Sequence, residues 1–156
     1  MNRNVTHPTE YANLVVAGKE VVNRNVMLAC KRHLHDLTRK DIYFDEKELD
    51  RFNDFVSELE VADGHELTGQ KIVMLSWQSF LLGSILCWKF VDTDGIRYKQ
   101  SFVECARGSG KSTMAGVLLL YCSWRWEGSD NLCLANKQDQ ARQAFDAANK
   151  IAIRAY

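Results

Sequence analysis

A chain of 156 residues, 46% hydrophobic and 26% charged, is long enough for one domain with a real core and ordinary in composition for a globular protein. Its 20 basic and 20 acidic side chains cancel, so no global field points to nucleic acid and any such contact must be local. The five cysteines (Cys30, Cys87, Cys105, Cys122, Cys133) lack C-x-x-C spacing and read as reduced thiols; residues 1–8 lack a signal-peptide core, and the apolar run Met114–Tyr121 is too short to span a membrane.

Thr9–Ala17 reads as a short helix with Tyr11, Leu14 and Val15 on one face, broken by Gly18. Lys19–Arg39 reads as a longer helix, with Val22, Val26, Ala29 and Leu37 near one stripe. Its end, K-R-H-L-H-D-L-T-R-K, gathers basic and His residues. They either complement the helix C-terminus or form a small patch facing DNA or another partner. His33 and His35 are two apart and do not share a helix face, which argues against a metal site. Asp45 and Glu48 resemble a capping box opening a helix over Glu46–Glu60, with Leu49, Phe52, Val56 and Leu59 on its packing face. Val61–Lys71, with Gly64 and Gly69, reads as a connecting loop. Ser76 is expected to cap a helix over Trp77–Phe90, and Asp92–Gly95 to turn the chain. No internal repeat or low-complexity segment interrupts this pattern.

Arg97–Cys105 is expected to be a strand, Lys111–Trp126 a helix apolar nearly all round and buried between layers, Leu132–Ala135 a second strand and Lys137–Ala155 a closing helix that packs with Ala141, Phe145, Ala148 and Ala152 on one side. Strand–helix–strand–helix predicts a parallel pair with a right-handed crossover. The expected fold class is therefore α/β: a helical N-terminal region, 1–70, followed over 71–156 by the incomplete start of a P-loop NTPase sheet.

The chemistry lies between the first strand and its helix, where Cys105–Thr113 reads C-A-R-G-S-G-K-S-T. The phosphate-binding pattern G-x-x-x-x-G-K-S/T is met at seven of eight positions, with Cys105 in place of the first Gly. Gly108 and Gly110 permit positive φ and a close approach to an anion. The N–H groups from Arg107 through Ser109 to Ser112 are candidates for a phosphate nest at a helix N-terminus. Lys111 is assigned to the β- and γ-phosphates, Ser112 Oγ to Mg²⁺, Thr113 to the α-phosphate, and Arg107 to a second cation near the γ-phosphate. The implied ligands are ATP and Mg²⁺. A second acidic residue on a later apolar strand, which P-loop ATPases use to hold the metal, is not found in the 45 residues after Lys111. The chain reads as cut off mid-domain, and on that reading it is expected to be marginally stable and to turn over little ATP.

These segments resemble the N-terminal ATPase portion of the large terminase subunit of tailed bacteriophages. The resemblance runs through Y-A-N-L-V-V-A-G-K, L-A-C-K-R-H-L-H-D-L, F-D-E, L-S-W-Q-S-F-L-L-G-S-I-L-C-W-K, V-E-C-A-R-G-S-G-K-S-T and A-N-K-Q-D-Q-A-R-Q-A-F-D-A-A, nearly the whole chain. It implies an ATPase joined, in the intact protein, to a ribonuclease-H-like nuclease, which packages DNA into a prohead and cuts the concatemer. Trp77 and Gln78 would lie on the adenine side, although Trp77 equally fits plain core packing. Gln140, in a family-like segment, is given only a structural role. Ser76 stands where the family often has Pro. Lys111 and Arg107 would act in catalysis, and Arg107, Gly108, Ser109, Gly110, Lys111, Ser112 and Thr113 would cradle the triphosphate. The implied partners are double-stranded DNA, the small terminase subunit, the portal protein and further copies in a ring, in the bacterial host cytoplasm, with no membrane. A fragment of a helicase-like P-loop ATPase and a non-catalytic prophage-remnant module stand as alternatives.

Overall fold

The computed structural model describes residues 7–61 and 67–155. Residues 1–6, 62–66 (including Gly64 of the expected loop) and 156 lie outside that description. Among the described residues the architecture is mixed α/β and mostly helical. The elements are α1 (Pro8–Val16), α2 (Arg24–Asp36), β1 (Ile42–Phe44), α3 (Glu46–Glu58), α4 (Ser76–Cys87), β2 (Trp88–Phe90), α5 (Lys111–Arg125) and α6 (Gln138–Ala155). They fall into two compact units, Met1–Arg51 with Met74–Phe102, and Phe52–Val73 with Val103–Tyr156. The expected division at residue 70 is a division in sequence; the units interleave, each drawing on both sides of it.

In the first unit, local signals set the helix ends. His7 Nδ1 accepts the N–H of Thr9 at 3.1 Å, and Pro8, with no N–H to lose, opens α1. Gly18 (φ +71°) closes it: the N–H groups of Gly18 and Lys19 donate to Val15 and Leu14 carbonyls at 3.0 and 2.9 Å, the left-handed helix stop that glycine permits. α2 begins at Arg24 rather than Lys19, because Asn23 Oδ1 accepts the N–H of Val26 at 2.9 Å and fixes the cap there. Tyr11, Ala12, Val15, Cys30 and Phe80 form the apolar centre, with Val26, Met27 and Trp77 packed against it. α4 lies so close to α1 that a Cβ on Gly83 would stand 2.8 Å from Pro8 Cγ.

The expected helix over Trp77–Phe90 is corrected at both ends. Ser76 is inside α4 and Leu75 is the capping position, where the backbone N–H donates to Gln78 Oε1 at 2.9 Å. The helix stops at Cys87 because Trp88–Phe90 pairs antiparallel with β1, in the register Ile42↔Phe90, Tyr43↔Lys89, Phe44↔Trp88. Two three-residue strands leave too little alternation to be read from sequence.

In the second unit, Glu60 and Lys71 pair antiparallel, and α5 packs on α6. Gly116 permits the contact: a Cβ there would lie 2.8 Å from the backbone N of Ala148. Met114, Val117, Tyr121, Ala148 and Ile151 are buried, and Phe52, Phe55 and Trp124 ring Tyr121 at centroid distances of 5.0, 5.4 and 5.9 Å.

Three expectations for this unit are corrected. Neither Arg97–Cys105 nor Leu132–Ala135 forms a strand, so the parallel pair is not formed; the two-stranded antiparallel β1–β2 is the sheet among the described residues. A strand exists only through a partner's hydrogen bonds, and parallel strands also need both faces covered. Phe102, Leu132 and Leu134 are instead 91%, 80% and 87% exposed. α5 is buried along one side, not all round, with Trp124 58% exposed. On α6 the buried positions are Ala148 and Ile151, whereas Phe145, expected on the packing face, is 60% exposed. No helix among the described residues is long and apolar enough to cross a membrane.

Candidate functional site

The loop before α5 has the backbone that its sequence demands. Gly108 and Gly110 both lie in the left-handed region, at φ +83° and +78°. Side chains rarely adopt that conformation, and a Cβ on Gly108 would meet nothing within 4 Å, so the requirement is conformational rather than steric. Cys105 has no positive φ, Asp94 being the one non-glycine residue with positive φ among the described residues. A first glycine is therefore not needed at Cys105, because that residue takes part through its carbonyl.

Gly110 is the N-cap of α5, and no side chain caps the helix. The 15 residues of α5 thus present first-turn N–H groups and the positive end of the helix dipole at Lys111, Ser112 and Thr113, all three exposed. Lys111 folds back over the loop: its Nζ donates to the carbonyls of Cys105 at 2.8 Å and Ala106 at 2.6 Å. Ser109 Oγ donates to the same Ala106 carbonyl at 2.6 Å, bracing the turn. Arg107 and Gly108 are exposed, and Ser109 and Gly110 half-buried. The result is an exposed turn that runs into an uncapped helix start, with a lysine ammonium tied back to two loop carbonyls, chemistry that suits a multiply charged oxyanion. A Mg²⁺ bound with such an anion has one hard oxygen ligand on offer in Ser112 Oγ. No group of three or more His, Cys, Asp or Glu is gathered for a metal among the described residues.

Trp77 and Gln78 belong to the other unit. Trp77 is half-buried against the Tyr11–Phe80 centre. Gln78 is 8% exposed, with Oε1 engaged by the N–H of Leu75 at the start of α4. Both residues therefore have structural work in their own unit. Gln140 lies in the first turn of α6, exposed.

The remaining titratable groups that are buried belong to the scaffold. His33, 2% exposed, packs against Phe44, Phe80 and Trp88 at 5.3, 5.5 and 5.3 Å between centroids. Trp88 Nε1 donates to His33 Nδ1 at 3.2 Å, which leaves Nε2–H to donate to Thr9 Oγ1 at 2.9 Å. Burial, helped by the charge of His7, pushes its pKa down to about 4. Lys89 donates to Asp45 Oδ2 at 2.7 Å and lies 3.7 Å from Glu48 Oε2, itself paired with Arg51 at 2.7 Å. Burial pushes the Asp45 carboxyl up, but the hydrogen bond from Lys89 and backbone N–H bonds outweigh it and hold it below the ordinary value. Sequence periodicity misses this network, because a buried ion pair joins residues 44 apart. The five thiols are unpaired, and burial pushes Cys30 up to about 11.

No protein-family model matches the chain, and comparison with curated proteins and with solved structures found no match.

Proposed function

We propose that the loop Cys105–Thr113 binds the phosphates of ATP with Mg²⁺, and that the chain is the N-terminal part of a packaging ATPase of the phage terminase type. One observation carries the first half: two left-handed glycines, on either side of Ser109, deliver the chain into an uncapped helix whose first residue, Lys111, curls over the loop. In this reading the N–H groups of residues 107–112 hold the β-phosphate, and Lys111 exchanges its two carbonyl contacts for β- and γ-phosphate oxygens. Ser112 Oγ ligates Mg²⁺, Thr113 contacts the α-phosphate, and Arg107 places a second cation near the γ-phosphate. Mg²⁺ supplies charge neutralisation when bound. The motor lineage, the adenine-side role of Trp77 and Gln78, and the partners (double-stranded DNA, small subunit, portal, a ring of copies) rest on the sequence resemblance alone.

The test is calorimetric titration with ATP and Mg²⁺. Charge-assisted contacts to phosphate contribute about 1.5–3 kcal/mol each. Lys111→Ala should therefore weaken binding roughly tenfold to a hundredfold, at about 1.4 kcal/mol per decade. Equal affinity in wild type and variant overturns the assignment.

A further inference from the structure

We infer that Ser109 is a positioning residue whose hydroxyl sets how readily Lys111 leaves the loop for a phosphate. The inference rests on the nucleotide reading of the loop and deepens it. Lys111 is latched onto its own loop through Nζ, which donates to the carbonyl of Cys105 at 2.8 Å and to that of Ala106 at 2.6 Å. An ammonium has three N–H donors, so two of them are already committed. Both contacts are charge-assisted, the stronger kind of hydrogen bond, and a phosphate that draws Lys111 away must outweigh them. Loop and latch lie within one compact unit, Phe52–Val73 with Val103–Tyr156, so the exchange is local.

Ser109 acts on the second of those contacts. Gly108 (φ +83°) and Gly110 (φ +78°), on either side of it, bend the chain so that its hydroxyl reaches back three residues. Ser109 Oγ donates to the same Ala106 carbonyl at 2.6 Å, while its N–H, at 3.4 Å, lies beyond the usual range. A carbonyl oxygen has two lone pairs, and Lys111 and the Ser109 hydroxyl fill them. When Lys111 leaves, the hydroxyl stays and the Ala106 carbonyl keeps a short donor. Without the hydroxyl, Lys111 is the short donor that remains. Opening then strands a carbonyl that had been bonded to a cation, which costs more than giving up one of two donors. The hydroxyl therefore eases the opened loop more than the latched one.

The experiment is calorimetric titration of the whole chain with ATP and Mg²⁺ around a double-mutant cycle of Ser109→Ala and Lys111→Met, each variant checked by circular dichroism. Ser109→Ala should weaken binding roughly three- to tenfold, the size of one hydrogen bond. In the Lys111→Met background, where there is no latch to open, the same change should weaken binding by less than about twofold. Ser109→Thr, which keeps the hydroxyl, should come within about twofold of wild type. A second readout needs no nucleotide: the rate at which acetic anhydride acylates Lys111, followed by mass spectrometry against the exposed Lys150. Lys111 should react more slowly than Lys150, and Ser109→Ala should slow it by a further factor of roughly three to ten. An equal affinity loss in both backgrounds, or a loss that Ser109→Thr shares, overturns the inference in favour of plain bracing of the turn. Lys111 reacting as fast as Lys150, or unchanged by Ser109→Ala, overturns the latch itself. ATP binding that depends on Lys111 but not on Ser109 sinks this inference alone, whereas no binding by wild type sinks the nucleotide reading as well.

Discussion

His33 and Lys111 show how differently two ionisable side chains are used here. His33 is sealed neutral between Trp88 and Thr9, and its cost appears on acidification. Its folded pKa, about 4, lies below the ordinary 6.5, so the unfolded chain binds the proton more readily. Its contribution is intact above about pH 6.5 and is lost as pH falls toward 4, by roughly 1–3 kcal/mol. Thermal unfolding between pH 7 and 4.5 should show the drop, and His33→Gln, which keeps donor and acceptor without titrating, should flatten it. An equal slope in that variant would assign the acid sensitivity to other groups. Gln78 invites a second measurement at this scale. Its Oε1 satisfies a donor at the start of α4, so Gln78→Ala should cost about 0.5–2 kcal/mol in urea unfolding, as cap losses do. No change in stability would free the residue for a purely ligand-directed role.

At the scale of elements, Gly116 decides how α5 and α6 meet. Alanine would gain up to about 1 kcal/mol of helix propensity, but its Cβ would strike backbone at 2.8 and 3.1 Å, and backbone cannot rotate away. Overpacking of this kind costs about 1–3 kcal/mol, so Gly116→Ala should lower stability in a urea titration while sparing the loop's φ values. A stabilised variant would mean that α6 shifts freely. The loop is legible in the sequence because each of its residues acts locally, glycine through φ, lysine through charge and the uncapped helix start through its N–H groups. Helix termini are legible where a side chain caps them in the expected way, as with Asp45, whose Oδ1 accepts the N–H of Glu48 at 3.1 Å. At Asn23 the apolar stripe runs on past the cap, so periodicity alone starts the helix five residues too early. β1 and β2 are not legible, since pairing Ile42 with Phe90 is a property of the folded chain rather than of either segment. Arg97–Cys105 and Leu132–Ala135 teach the converse, since a run of apolar residues describes a strand that still requires a neighbour.

For the whole molecule, zero net charge conceals unequal surroundings: Asp36, Asp45 and Glu48 are drawn in onto Arg97, Lys89 and Arg51, while other charges stand exposed. The phosphate loop and α2 belong to different compact units. The interleaving of those units also has a consequence for synthesis. Tyr11 packs on Phe80 at 5.4 Å, yet α4 begins 60 residues after α1 ends. At a translation rate of about 5–20 residues per second, the apolar face of α1 emerges from the ribosome some 3–12 s before its partner. During that interval Tyr11, Ala12 and Val15 have only α2 to shelter them, which makes the nascent chain a client for whatever holds exposed apolar helices in the cell.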